Sequence, residues 1–481
     1  MQDIGLKKGI FYSFLGKYSN VFVSLIIISI LSRLLSPREF GVLAVINVFV
    51  IFFNSFSDMG IGATLIQNRN LKLKEISSFF ILTILIGLVL AIIFYLFVNN
   101  FLVNFYQNNI YKNLSIFLSF HILINSIGVV PKALINRRKK FKILGIINVF
   151  SNTISGTIAI ILAYFGFSFY SLIFQGIIMN LITNILILKQ IKMKLIFYFN
   201  IKYIKKSFSY SGYIFIFNFI NYFARNLDNI LIGKYFGVET LGFYDKAYKL
   251  MLYPIDLLTG AINVVLHPIF ARYQNDNEKI YLEYMKLLKI LSILGIGVTC
   301  ICFFSAREII MILYGVQWIG ILKIFKILSI SIILQVFTKT VGSLYMALGR
   351  TDKMFKNGFF YSAILILAIL IGIYMKDINM LAINITLAFF SGLIFLYKGL
   401  LEIFKKNFKV FFLEFKETYL LGILLIIVNL ITIKFIECKN FYVFFLIKVF
   451  INISFVSIFI VNIYYKKKIF KYINRIYFYK K

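Results

Sequence analysis

Arg225 and Asp228 lie three residues apart in NYFARNLDNILIGKYFG (221–237), deep inside a long apolar run. A charge near the centre of a bilayer costs between about 3 and 15 kcal/mol, so such residues face a cavity or a partner. Their spacing puts them on one helix face, within reach of each other. Two readings stand side by side. In the first, the pair neutralises itself and only orients the helix. In the second, Arg225 meets an anionic group of a substrate and Asp228 is its orienting partner.

Lys17, Lys249 and Lys339 are further cations inside apolar segments. Each alone can be a long stem reaching water. As a set with Arg225 they describe a cationic lumen, suited to an anionic group: Arg offers a bidentate fork and Lys a point charge. Asp58 and Asp256 are the acids inside the spans, where a desolvated carboxylate can take up a proton. Asp256 is also seven residues from Lys249 and could pair with it. The sequence contains no G-x-x-x-x-G-K-[ST] loop, and Cys300, Cys302 and Cys438 make no metal or disulfide framework. Neither a cofactor nor a metal is expected.

These residues must be positioned by membrane helices. The chain has 481 residues, 61% of them hydrophobic and 15% charged, with a mean hydropathy of +0.89. Apolar runs long enough to cross a bilayer recur along it. They fall near 10–34, 40–66, 77–98, 113–135, 143–166, 168–188, 207–232, 241–268, 284–305, 318–348, 357–375, 379–397, 418–437 and 441–465. The fold expected is an all-α integral membrane protein of about fourteen transmembrane helices. Lys7 and Lys8 precede the first run and no small-residue cleavage site follows it, so the first helix is expected to be retained. Pro131, Pro254 and Pro268 lie within or at the ends of spans 4 and 8, where they favour kinks. Bending of span 8 during transport is the sharper reading.

The net charge of +34 does not point to nucleic acid. About 34 of the 52 lysines and arginines fall in loops on one side of the predicted spans, with far fewer opposite. This asymmetry predicts that both termini are cytoplasmic. The tail KKKIFKYINRIYFYKK suits an anionic membrane surface.

An internal repeat organises the spans. SRLLSPREFGVLAV from Ser32 aligns with GKYFGVETLGFYDK from Gly233, placing Gly41 on Gly242. ALINRRKKFK from Ala133 aligns with ALGRTDKMFK from Ala347. The predicted organisation is an N-terminal six-helix lobe (1–200) and a parallel C-terminal six-helix lobe (201–405). A terminal helix pair with the basic tail (406–481) completes it. Parallel repeats are a transporter architecture.

The segments LSPREFGVLAV, FSDMGIGATLIQ, NYFARNLDNILIGKYFGVETLGFYDKAYKLMLYP and HPIFARYQ resemble Wzx-type flippases. These form the polysaccharide transporter branch of the multidrug/oligosaccharidyl-lipid/polysaccharide exporter superfamily. The resemblance covers nearly the whole chain and is strongest over 207–274. It implies a flippase of the bacterial inner membrane, not an enzyme. The implied substrate is an undecaprenyl-diphosphate-linked oligosaccharide, moved from the cytoplasmic to the outer leaflet for O-antigen, capsule or exopolysaccharide. Alternating access through a central cavity, membrane lipids as surroundings and a polysaccharide polymerase as a further partner belong to the same picture. The rival is a MATE-type ion-coupled drug exporter, which the excess of basic over acidic residues in the spans argues against. A polymerase or glycosyltransferase is disfavoured by short outer loops and the lack of a D-x-D motif.

Overall fold

Hydrocarbon offers a backbone no hydrogen-bonding partner, so an apolar run crosses a membrane as a helix or as part of a closed barrel. The computed structural model describes residues 2–58, 60–67, 71–191, 198–200, 211–270, 273, 276–436 and 440–478, and among these it is helical without strands. Cys438 lies outside the described residues. The long helices are α1 (Gln2–Leu34), α2 (Pro37–Asp58), α3 (Leu73–Phe97), α4 (Ile110–Arg137), α5 (Phe141–Tyr164), α6 (Tyr170–Ile191) and α7 (Ser211–Tyr235). They continue with α8 (Val238–Phe270), α9 (Asn277–Phe304), α10 (Leu322–Ala347), α11 (Thr351–Tyr374), α12 (Ile378–Phe404), α13 (Lys416–Phe435) and α14 (Phe441–Phe478). Among the described residues, 12 helical stretches are long and apolar enough to span a bilayer, and α7 and α8 occupy the positions expected for spans 7 and 8. The expected all-α membrane architecture is therefore the one observed.

Local chemistry sets the helix starts. The SPRE tetrapeptide at the head of α2 forms a reciprocal cap. Glu39 Oε2 accepts from the Ser36 amide at 2.6 Å, and the Glu39 amide donates to Ser36 Oγ at 3.4 Å. Pro37 occupies the first helical position, where no amide donor is needed. Asp276 caps α9 and Asp377 caps α12 in the same manner, each accepting from a first-turn amide. Between α7 and α8 the chain reverses through Gly237 at φ +86°, a left-handed conformation that favours glycine.

By packing, the chain divides into two compact units: residues 1–245 with 313–317, and residues 246–312 with 318–481. In the first unit, α1 and α5 approach closely where Gly16 faces Gly145; a Cβ on Gly16 would lie 2.8 Å from the Gly145 Cα. Asn152 Nδ2 then donates to Asn20 Oδ1 at 2.9 Å and Ser24 Oγ at 2.8 Å across the same interface. Small residues and amide bonds are the usual means of joining helices in lipid, where hydrophobicity supplies no preference.

The repeat glycines meet directly. A Cβ on Gly41 would run into the Val238 carbonyl, and one on Gly242 into the Pro37 carbonyl, with the two glycine amides also within about 3.2 Å of those positions. The contact is reciprocal because Pro37 and Val238 are separated by the same sequence offset as Gly41 and Gly242. The starts of α2 and α8 thus pack against each other reciprocally. α7 belongs to this unit too. Tyr222 OH donates to the Val48 carbonyl at 2.5 Å, Tyr106 OH to the Ile230 carbonyl at 3.0 Å, and Lys234 Nζ to the Phe105 carbonyl.

In the second unit, Tyr284 OH lies 2.9 Å from both Thr340 Oγ1 and Tyr397 OH, and Tyr397 donates to the Phe337 carbonyl at 3.1 Å. This buried network joins α9, α10 and α12. The terminal pair is attached by Ser292 to Thr418 at 2.7 Å, and α13 is joined to α14 by reciprocal amide bonds of Asn429 and Asn452, each 3.1 Å.

Candidate functional site

α7 carries the opening pair. Arg225 lies ten residues before the helix end at Tyr235, about 15 Å along the axis, and its side chain is exposed from the protein. Asp228, by contrast, is only 4% exposed. Its Oδ2 accepts from Tyr244 OH at 2.7 Å and its Oδ1 from the Asn229 amide at 2.8 Å. Among the described residues there is no ion pair between Arg225 and Asp228. The carboxylate therefore joins α7 to the start of α8 through Tyr244, while Arg225 keeps its face open.

The remaining predicted residues divide in a similar way. Lys17 on α1 is exposed, as is Lys249 on α8. Lys339 on α10 meets Asp256 on α8, with Nζ 2.7 Å from Oδ1. The two side chains are 31% and 54% exposed. Asp256 thus finds its ionic partner on another helix and not in Lys249, among the described residues. Asp58 is the last residue of α2, and its Oδ1 accepts from the Gly62 amide at 2.8 Å. It caps the short helix Ile61–Gln67, while its other oxygen stays available on an exposed side chain.

Sequence reasoning missed one buried ion pair in the second unit. Lys448 on α14 contacts Glu308 at 2.7 Å, with side chains only 4% and 7% exposed. Lys448 also donates to the Phe304 carbonyl at 3.1 Å and lies 4.1 Å from the Phe444 ring centroid. The lone lysine in FYVFFLIKVFINISF was the available signal; its partner lies far away in sequence, on the short helix Ala306–Leu313. Sequence reasoning also gave no hint that Tyr244 would hold Asp228.

A cavity of about 590 Å³ within the second unit is almost wholly apolar. Phe337, Phe390, Phe412, Phe415 and Ile426 line it, and no charged residue does. Its walls suit hydrocarbon, and the predicted cations are absent from them.

A family model described as "Polysaccharide biosynthesis protein" matches residues 30–323. The lipopolysaccharide biosynthesis protein WzxC of Escherichia coli is 25% identical over 378 residues, covering 76% of this chain and 74% of that one. The teichuronic acid biosynthesis protein TuaB of Bacillus subtilis is 25% identical over 335 residues, 69% of each chain. The succinoglycan biosynthesis transport protein ExoT of Rhizobium meliloti is 22% identical over 320 residues, covering 66% and 65%.

Among solved structures, the lipid II flippase MurJ in an inward closed conformation superposes with a TM-score of 0.76 at 18% identity, covering 96% of this chain and all of that one. An inward-facing MATE multidrug transporter gives 0.63 at 12% identity, covering 81% and 96%. These two likenesses concern the fold. The family match, which covers more than half of the sequence, concerns the lineage. The chain is a multi-pass membrane protein and belongs to the polysaccharide biosynthesis protein family.

Proposed function

We propose that the protein is a flippase for undecaprenyl-diphosphate-linked oligosaccharide repeat units. In this reading it moves them from the cytoplasmic to the outer leaflet of a bacterial inner membrane. The observation that carries it is Arg225, whose side chain stays exposed ten residues inside α7 of the first unit. Lys17 is exposed in the same unit, and in the second Lys249 is exposed while Lys339 stays partly exposed beside Asp256. A charge facing hydrocarbon at those depths would cost several kcal/mol, so these faces border water or an anion. A headgroup carrying two phosphates supplies that anion and gains several charge-assisted contacts during its crossing. The apolar cavity supports the same reading by offering a surface for a hydrocarbon chain.

The family relatives, named for polysaccharide biosynthesis and transport, fit this role. We further propose that both termini are cytoplasmic, as the basic loops require, and that an H+ or Na+ gradient drives the cycle through Asp58 or Asp256. Binding, reorientation and release complete the cycle, and no covalent chemistry enters it. A polysaccharide polymerase in the outer leaflet would receive the product.

The test is deletion of the gene followed by mass spectrometry of the lipid extract. Completed undecaprenyl-diphosphate-linked repeat units should accumulate. A normal lipid-linked pool, with new sensitivity to cationic drugs, would instead assign the protein to drug export. Complementation with Arg225→Ala should leave the protein inserted and abolish export, while Arg225→Lys should restore part of it. Full export by the alanine variant would remove Arg225 from the substrate path.

A further inference from the structure

The Lys339–Asp256 pair has features that a purely structural bridge does not need. Lys339 lies eight residues before the end of α10, about 12 Å along the axis, and Asp256 lies fourteen residues before the end of α8, about 21 Å. Both ends stay substantially open, at 31% and 54% exposure. One carboxylate oxygen makes the contact, so Oδ2 and the remaining ammonium donors can still meet another group. A pair retained only for packing would be expected to be sealed, as Lys448–Glu308 is within the same unit.

The helix carrying Asp256 is also locally weakened. Pro254, two residues earlier, donates no amide and leaves the Leu250 carbonyl without its helical partner. A helix can hinge at such a point, which would let Asp256 move relative to Lys339 at modest cost.

We propose that Asp256 is a built-in stand-in for the substrate anion: it holds Lys339 while the site is empty and is displaced when a diphosphate arrives. The inference rests on the flippase reading and refines it. Asp256 acts through Lys339 and is a positioning residue. An open lysine with no counter-ion would attract any phosphate in the cytoplasm. The carboxylate sets a threshold, which a group with two phosphates and several charge-assisted bonds passes more readily than inorganic phosphate does. The pair thereby lowers the affinity for every phosphate that competes for Lys339, leaving inorganic phosphate unbound where a diphosphate still binds. It also helps release, because Asp256 reclaims Lys339 as the headgroup leaves.

The experiment is isothermal titration of the full-length protein in nanodiscs with inorganic pyrophosphate and, separately, inorganic phosphate. Asp256→Asn, which keeps the side-chain shape, should bind pyrophosphate about two- to fivefold more tightly, the range expected for release from a partly exposed ion pair. Phosphate binding should tighten by a similar factor, because displacing Asp256 costs the same whichever anion takes Lys339. Asp256→Glu should restore wild-type affinities. Lys339→Gln should weaken binding, and adding Asp256→Asn to it should then change nothing.

Unchanged or weaker binding by Asp256→Asn, with normal gel-filtration behaviour, would make the pair a structural bridge and overturn the proposal. So would a wild-type protein that binds no pyrophosphate. Nanodiscs loaded with undecaprenyl diphosphate separate the sources of the anion. Competition between that lipid and pyrophosphate supports a lipid headgroup, and undiminished pyrophosphate binding overturns that assignment. The lipid extract of the deletion strain tests the flippase reading independently of these affinities.

Discussion

Two ion pairs in the second unit look alike on paper and differ in their surroundings. Lys448–Glu308 and Lys339–Asp256 have the same 2.7 Å separation, and each joins residues far apart in sequence. The first is shut away from solvent, with the Phe304 carbonyl and the Phe444 ring completing the shell around its lysine. The second is open at both ends. A sealed pair has lost its solvation on both sides, so its attraction serves mainly to offset that loss and to fix one arrangement. An open pair keeps much of its solvation and can be exchanged. The difference teaches that accessibility, more than distance, separates a sealed anchor from a pair that can be exchanged.

The comparison can be broken at its sealed end. Glu308→Ala strands Lys448 without its partner and should destabilise the protein by about 3–5 kcal/mol. A large drop in thermal stability in detergent, recovered in the double variant Glu308→Met with Lys448→Met, is the expected result. If the single variant is as stable as the parent, the pair is not an anchor. A buried carboxylate with a neutral partner gives an intermediate case. Tyr244→Phe removes the hydroxyl that donates to Asp228 and should cost about 1.5–3 kcal/mol, read from the same melting experiment. No change there would mean that Asp228 finds water in place of Tyr244.

The smallest stability effect belongs to the open pair. Asp256→Ala should lower stability by no more than about 1 kcal/mol, because an exposed ion pair contributes little. Export should nevertheless suffer. A loss of stability comparable to that of Glu308→Ala would erase the distinction between the two sites and favour a structural role for both.

Much of this was legible without coordinates. The run lengths predicted α1 to α14 because a spanning segment must satisfy its own backbone, and that requirement leaves few choices. The alignment placed Gly41 on Gly242, and these two glycines lie in reciprocal contact between α2 and α8. The charged residues inside the spans were also visible as types. Their partners were not. Asp228 sits three residues from Arg225 but is held by Tyr244, and Asp256 sits seven from Lys249 but meets Lys339. Helical spacing says which groups can meet on one helix, and in both cases a neighbouring helix offered the better geometry.

Helical content and the runs long and apolar enough to span a membrane were therefore determined by the sequence itself, since they follow from hydrophobicity and spacing along the chain. Tertiary structure alone decided which cations are sealed and which stay open. That outcome depends on helices whose contacting residues are separated by 83 positions for Lys339 and Asp256 and by 140 for Lys448 and Glu308. No local pattern encodes such a meeting, because the energy of an ion pair is set by the solvent that the rest of the fold leaves around it.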